Sequence, residues 1–312
     1  MTAEAIAKLM RMVLHAAPLL LDGGLGTYLE AQGHDISGPL WSARVLRENP
    51  ALIESAHADF FAAGAQVATT ASYQVTFDVL GEEAETLLRR SVAVARDAAG
   101  GAVDKHGALE EYLVAASIGP YGAGPGEGTD YDGAYGLSRE ELYRWHARRV
   151  AVLADTDADF LLAETIPNVD EAAVLLELLS AQPKPFALSI TGAIAADPVK
   201  LMRVIDLVNQ APRLGAVGVN CVSAPHALGV VKTLRAATDK RLLACPNSGE
   251  LWDHGAHEWR PAPAGAVSLA EAATDLVAAG ASLLGGCCRV GPTEIRQLRT
   301  SILRATSDSF GQ

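Results

Sequence analysis

Short apolar runs of strand length alternate with amphipathic helical patterns from one end of this chain to the other. The runs fall at 19–24, 66–72, 112–119, 158–165, 185–191, 216–222, 241–246 and 281–287. Each is followed by apolar residues at three- and four-residue spacing, such as Leu52, Ile53, Ala56, Phe60 and Ala63 within 50–63. Leu269, Ala272, Ala273, Leu276 and Val277 repeat that spacing within 268–279. Comparable patterns occupy 82–99, 138–155, 169–181, 199–209, 224–237 and 291–305. Ser138 before Arg-Glu-Glu is a helix start signal, and Gly64 and Gly280 are stop signals. Eight such units without a composition break predict one domain over 1–312, a single (β/α)8 TIM barrel. An open doubly wound sheet would usually hold fewer units. Apolar residues make up 49% and aromatics only 5%, which suits parallel strands under small-residue helices.

Charge narrows the partners. Lys and Arg number 25 against 37 Asp and Glu, a net charge of −12, so no phosphate-tracking surface and no nucleic acid partner are expected. No uncharged apolar run reaches the ~20 residues of a membrane span. The start of the chain lacks a basic region leading to a small-residue cleavage site, so residues 1–18 read as an amphipathic helix entering the first strand. A cytoplasmic protein is expected. In a reducing compartment its four cysteines are better read as ligands, catalytic groups or buried thiols than as disulfides.

Barrel enzymes carry their chemistry at the C-terminal ends of strands. Here those ends are crowded with polar residues: Asp22-Gly23-Gly24, Thr69 to Gln74, Glu164-Thr165, Asn220-Cys221, Pro246 to Glu250, and Gly285-Gly286-Cys287-Cys288-Arg289. On one barrel, Cys221 after the sixth strand and Cys287-Cys288 after the eighth can meet at one rim. Three thiolates without an obvious fourth protein ligand match the open pattern of catalytic zinc. Gly285 and Gly286 would let the backbone turn so that two consecutive thiols reach one ion. From spacing alone, buried thiols or a redox pair remain open readings.

The motifs Asp22-Gly-Gly-Leu-Gly-Thr, Leu40-Trp-Ser-Ala, Gly64-Ala-Gln-Val-Ala-Thr-Thr-Ala-Ser-Tyr-Gln, Glu164-Thr-Ile-Pro, Val219-Asn-Cys, Pro246-Asn-Ser-Gly-Glu and Gly285-Gly-Cys-Cys-Arg occur in order over about 19–292. In this the chain resembles the homocysteine S-methyltransferases, and most closely their short, cobalamin-free members that use S-methylmethionine or S-adenosylmethionine. The resemblance implies one zinc per chain on Cys221, Cys287 and Cys288, with L-homocysteine and a sulfonium methyl donor as partners. It also implies that Asp22 and Glu164 hold the homocysteine amino group. Backbone around Gly23–Leu25 and Thr70–Ser72 is expected to hold the carboxylate, with Tyr73 near the metal and Asn220 and Asn247 shaping the rim. The end of the chain, about 20 residues after Arg289-Val-Gly-Pro, suggests a monomer or weak homodimer rather than the betaine-dependent oligomers. Two other readings compete: a zinc-thiolate methyltransferase for another thiol or selenol, and a zinc-binding or redox-sensing protein without turnover.

Other features are set aside. Cys245 is expected to be a core thiol. His254-x-x-His257-Glu258 reads as a surface loop rather than a metal motif. The segment Gly122 to Gly128, with Pro125 and acidic Glu127, Asp130 and Asp132 around it, suits a mobile lid better than a phosphate cradle. The loop after the fifth strand, Ser189 to Pro198, is shorter and more apolar than the resemblance leads one to expect. Tyr28 replaces an acidic residue often found there.

Overall fold

A computed structural model describes residues 18–36, 38, 40–106, 112–124, 129–253 and 258–309. The N-terminal helix expected over 1–18, most of the 122–128 loop and the His254–His257 pair lie outside those residues, in whole or in large part. Eight strands form one parallel sheet: β1 (Leu19–Leu20), β2 (Val67–Thr69), β3 (Leu113–Ile118), β4 (Phe160–Ile166), β5 (Phe186–Ile190), β6 (Leu214–Asn220), β7 (Arg241–Cys245) and β10 (Ala281–Leu284). A separate antiparallel hairpin, β8 (Leu251–Asp253) with β9 (Glu258–Arg260), follows β7. The sheet runs β2 through β7 in order, then β10, then β1, which returns to β2 through a Leu21–Val67 bridge. Gln66 N–H donates to Leu20 O at 2.7 Å and Asp22 N–H to Val67 O at 3.0 Å, closing the ring. The expected TIM barrel is the observed fold.

The principal helices are α1 (Pro50–Ala63), α2 (Glu83–His106), α3 (Arg139–Ala154), α4 (Val169–Ser180), α5 (Pro198–Asn209), α6 (Ala224–Ala237), α7 (Leu269–Ala278) and α8 (Pro292–Ser309). Their starts are chemical. Ser138 and Ser268 form capping boxes with Glu141 and Glu271, and the Asn168 and Asp197 side chains accept from first-turn amides. α1 stops at Gly64, whose φ of 105° few side chains tolerate. None of the helices among the described residues is long and apolar enough to cross a membrane.

Strand periodicity divides the core in two. Leu20, Val114, Ala116, Leu161, Leu188, Val217 and Leu242 face the helices. The alternate residues Leu19, Leu21, Leu113, Phe160, Leu162, Ala216 and Leu243 fill the barrel interior. Continuing that inward register toward the strand ends reaches Ser117, Glu164, Ser189, Asn220 and Cys245. The same alternation that packs the core therefore carries polar side chains to the mouth.

The sequence pattern missed short elements in the connections: helices at Leu25–Ala31, Trp41–Glu48, Phe77–Leu80 and Gly192–Ala195, and the β8–β9 hairpin. Gly192–Ala195 is a single turn, which is how the short apolar loop after β5 is accommodated.

Candidate active site

Cys221, Cys287 and Cys288 converge. Their sulfurs all lie within 4.8 Å of one another, and Cys221 Sγ is 3.5 Å from Cys288 Sγ. Backbone geometry aims them. Cys221 leaves β6 with φ 59°, and Arg289, just past the pair, has φ 63°, both left-handed values that a side chain adopts only when its surroundings enforce them. Asn247 and its neighbours do the enforcing. Cys287 N–H donates to Pro246 O, Cys288 N–H to Asn247 Oδ1, and Ser248 N–H to Cys288 O, at 2.9–3.1 Å. Arg289 N–H is held by Thr27 Oγ1 at 2.8 Å, and its guanidinium pairs with Glu250 at 2.8 Å.

The glycines before the pair act differently from the turn the sequence suggested, since neither has a positive φ. They admit close neighbours. A Cβ on Gly286 would sit 2.1 Å from Val290 Cγ1, and one on Gly285 2.7 Å from Leu21 Cβ. Gly23 and Gly24 meet the same turn from β1, where a Cβ would fall 2.0 Å from Val290 O and 2.5 Å from Cys287 O.

Beside the sulfurs opens a cavity of about 310 Å³. Asp22, Glu164 and Asp130 contribute carboxyls, and no Lys, Arg or His is among its described lining residues. Burial pushes Asp22 up to about 8 and Glu164 up to about 7, and raises Asp130 to about 6. Asp22 Oδ2 accepts Thr69 N–H at 2.7 Å, and Ser117 Oγ donates to Glu164 Oε1. The cavity wall therefore carries one buried and two half-buried carboxyls, with no basic side chain among its described lining residues.

The remaining expected residues divide. Gly23, Thr70, Tyr73 and Asn220 line the cavity; Ser72 does not. The Ser72 hydroxyl instead bonds Thr70 Oγ1 and donates to Ser117 O, both at 2.7 Å, while Thr70 N–H is taken by Ala115 O. Thr70 and Ser72 thus brace the strand ends. Asn220 is likewise a brace rather than a free contact. Its Oδ1 accepts Thr165 N–H and Ser189 Oγ–H, and its Nδ2 donates to Thr165 Oγ1 and lies 3.8 Å from Cys287 Sγ. The bond to Thr165 secures another left-handed residue, φ 60°, where the β4–β5 register breaks beside Glu164. Cys245 is buried below the sulfurs, touches the cavity floor and stays outside the ligand group.

Sequence reasoning missed Tyr131, whose Oη lies 3.9 Å from Cys221 Sγ. Tyr73, expected near the metal, donates from Oη to Asp130 Oδ2 at 3.4 Å, and Trp41 of the Leu40-Trp-Ser-Ala motif lines the same cavity. Tyr131 and Trp41 are 46% and 42% exposed, large apolar surfaces left open at a cavity entrance. Acidic residues around 127–132 had pointed to a lid, but no motif identified the aromatic between them.

Fold and site together define a barrel enzyme whose chemistry centres on sulfur. The homocysteine S-methyltransferase family model matches residues 19–302, and the chain belongs to that family of methyltransferases. It is 39% identical to the homocysteine S-methyltransferase of Escherichia coli (strain K12), covering 90% of this chain and 94% of that one. It is 37% identical to a selenocysteine Se-methyltransferase of Brassica oleracea var. italica, over 92% and 90% of the two chains. The crystal structure of the metallated form of the homocysteine methyltransferase MmuM from Escherichia coli superposes with a TM-score of 0.83 at 36% identity, covering 94% of this chain and 99% of that one.

Proposed function

We propose that this chain, as one homocysteine-binding barrel, transfers a methyl group from S-methylmethionine or S-adenosylmethionine to L-homocysteine with one zinc ion held by Cys221, Cys287 and Cys288. The observation that carries this reading is a set of three sulfurs at ligand spacing beside a carboxyl-walled cavity with no basic side chain among its described lining residues. The 3.5 Å Cys221–Cys288 separation is near the ~3.8 Å edge of a tetrahedron with Zn–S bonds of about 2.3 Å. Soft thiolates select zinc over hard cations, and three protein ligands leave one position for a substrate atom. When bound, zinc supplies the Lewis acidity that lets a thiol, ordinarily near pKa 8.5, give up its proton at neutral pH.

The chain's own residues supply the rest. Asp22 and Glu164 receive the substrate ammonium, which relieves the burial that disfavours their charged forms. The backbone around Gly23 takes the carboxylate end. Tyr73, set by Asp130, flanks the reacting sulfur, while Tyr131 and Trp41 offer ring faces to the donor's sulfonium. The homocysteine sulfur lone pair forms the new C–S bond as the donor's C–S bond breaks. The bonding pair stays on the departing thioether, and the thiol proton goes to solvent. A neutral leaving group needs no acid, so positioning in a dry cavity carries the catalysis and no side chain holds the methyl group.

A second acceptor deserves a place in the same test, because the Brassica relative methylates selenocysteine. A non-catalytic redox sensor would have no use for an acidic cavity of this size beside its thiols. The test is methionine formation from L-homocysteine by zinc-loaded protein with S-methylmethionine, S-adenosylmethionine or betaine, with and without chelator, and selenocysteine as alternative acceptor. Chelator-sensitive turnover with a sulfonium supports the reading. Absence of turnover with every sulfonium, with zinc bound, overturns it.

A further inference from the structure

Behind Asp22 sits His57, on the inner face of α1, with its side chain fully buried. Neither ring nitrogen has a hydrogen-bond partner among the described residues, and Nδ1 is 3.9 Å from Asp22 Oδ2, too long for a bond. An orphaned buried imidazole is costly and rare, and its neighbours Ile53 and Phe60 on the same helix face show that an apolar residue would serve the packing. Burial holds His57 down to about 4, so the ring is neutral, with one N–H donor and no charge. The other groups facing Asp22 are Glu164 from β4, the Cys245 thiol from β7 and the Thr69 amide from β2. Tyr28, on the Leu25–Ala31 helix, and Asp59, on α1 itself, are bonded to each other at 2.8 Å.

We propose that His57 is a positioning residue for the amino-acid substrate, a neutral N–H donor that closes onto Asp22 Oδ2 when the substrate ammonium converts that carboxyl to a carboxylate. The proposal rests on the reading that Asp22 receives the ammonium. In the free protein Asp22 is mostly protonated, a weak acceptor, and the imidazole stands off. Docking of a cation ionises it; its proton leaves to solvent, and the carboxylate becomes a strong acceptor. A side-chain shift of about 1 Å brings Nδ1 into bonding range. Oδ2 then holds two donors, Thr69 N–H and His57 N–H, leaving the other oxygen for the ligand. A neutral donor suits this role because an imidazolium would repel the incoming ammonium.

The experiment uses zinc-loaded protein and L-norleucine, an α-amino acid without sulfur, with hexanoate as the analogue lacking the ammonium. Calorimetry on His57→Leu should show L-norleucine binding weakened about tenfold at pH 7, the loss expected for a hydrogen bond to a charged group. Its Tm should be unchanged or higher, since an orphaned polar group is gone. His57→Gln, which keeps a donor, should stay within about threefold of wild type, and hexanoate should bind all three proteins alike. In histidine-labelled wild type, the His57 ring N–H resonance should move downfield on adding L-norleucine, a readout independent of whether any variant folds. Wild-type affinity in His57→Leu with an unmoved resonance overturns the proposal. If wild type itself does not prefer L-norleucine to hexanoate, the assignment of Asp22 fails, and this role fails with it.

Discussion

Homocysteine binding should be strongly pH-dependent because the cavity must lose a proton to accept an ammonium. Asp22 is pushed up to about 8, so at pH 7 roughly nine tenths of free protein carries it neutral. Ionising it at pH 7 costs about 1.4 kcal/mol, and at pH 6 about twice that. Binding selects the carboxylate, so affinity rises with pH, about tenfold from 6 to 7 and about fivefold from 7 to 8. Glu164, raised to about 7, steepens the lower part of the curve. Calorimetric titration of zinc-loaded protein with L-norleucine, in buffers of different ionisation enthalpy, reads both affinity and protons released. We expect about one proton released per ligand at pH 7. A flat affinity from pH 6 to 8 without buffer dependence would refute the reasoning.

The same shift has a stability consequence. The folded chain binds more protons at Asp22 than the unfolded chain does between about 4 and 8, so that group's contribution falls as pH rises through this window. Asp22→Asn should therefore raise the Tm of ligand-free protein at pH 8 relative to wild type while abolishing amino-acid binding, checked by calorimetric melts at pH 5 and 8. Alanine at Cys221, Cys287 or Cys288 should each eliminate zinc from purified protein by elemental analysis, whereas Cys245→Ala retains one equivalent; parity among the four sinks the three-ligand model. Asn220→Ala strands the Thr165 amide and the Ser189 hydroxyl, and should cost about 2–3 kcal/mol in urea unfolding as well as weaken zinc retention. Gly286→Ala drives a Cβ into Val290 and should disturb zinc binding more than stability, measured by competition with a chromogenic chelator.

Much of this molecule was legible in the chain. Barrel strands buried on both faces write continuous apolar runs, so their number and order could be counted. The thiols were legible because Cys287-Cys288 follows Gly-Gly at a strand end and Cys221 ends another. The supports were less so. Asn220 looks like a rim contact until Thr165 and Ser189 are seen to occupy it, and Ser117 is one hydroxyl in the apolar run Leu113–Ile118. His57 falls on the inner face of α1 with Ile53 and Phe60, where periodicity reads only packing. Tyr131 sits in an acidic loop with no periodicity, so its approach to Cys221 depends on tertiary folding alone.

The ring order also sets a schedule. Cys221 leaves β6, whereas Cys287 and Cys288 follow β10, the last strand, which must insert between β7 and the waiting β1. A growing chain thus has no complete sulfur triad until its final strand docks, and β1 has no partner on that side before then. A chain stalled short of β10 holds only one of the three clustered thiols, so completing the triad and closing the ring are the same event.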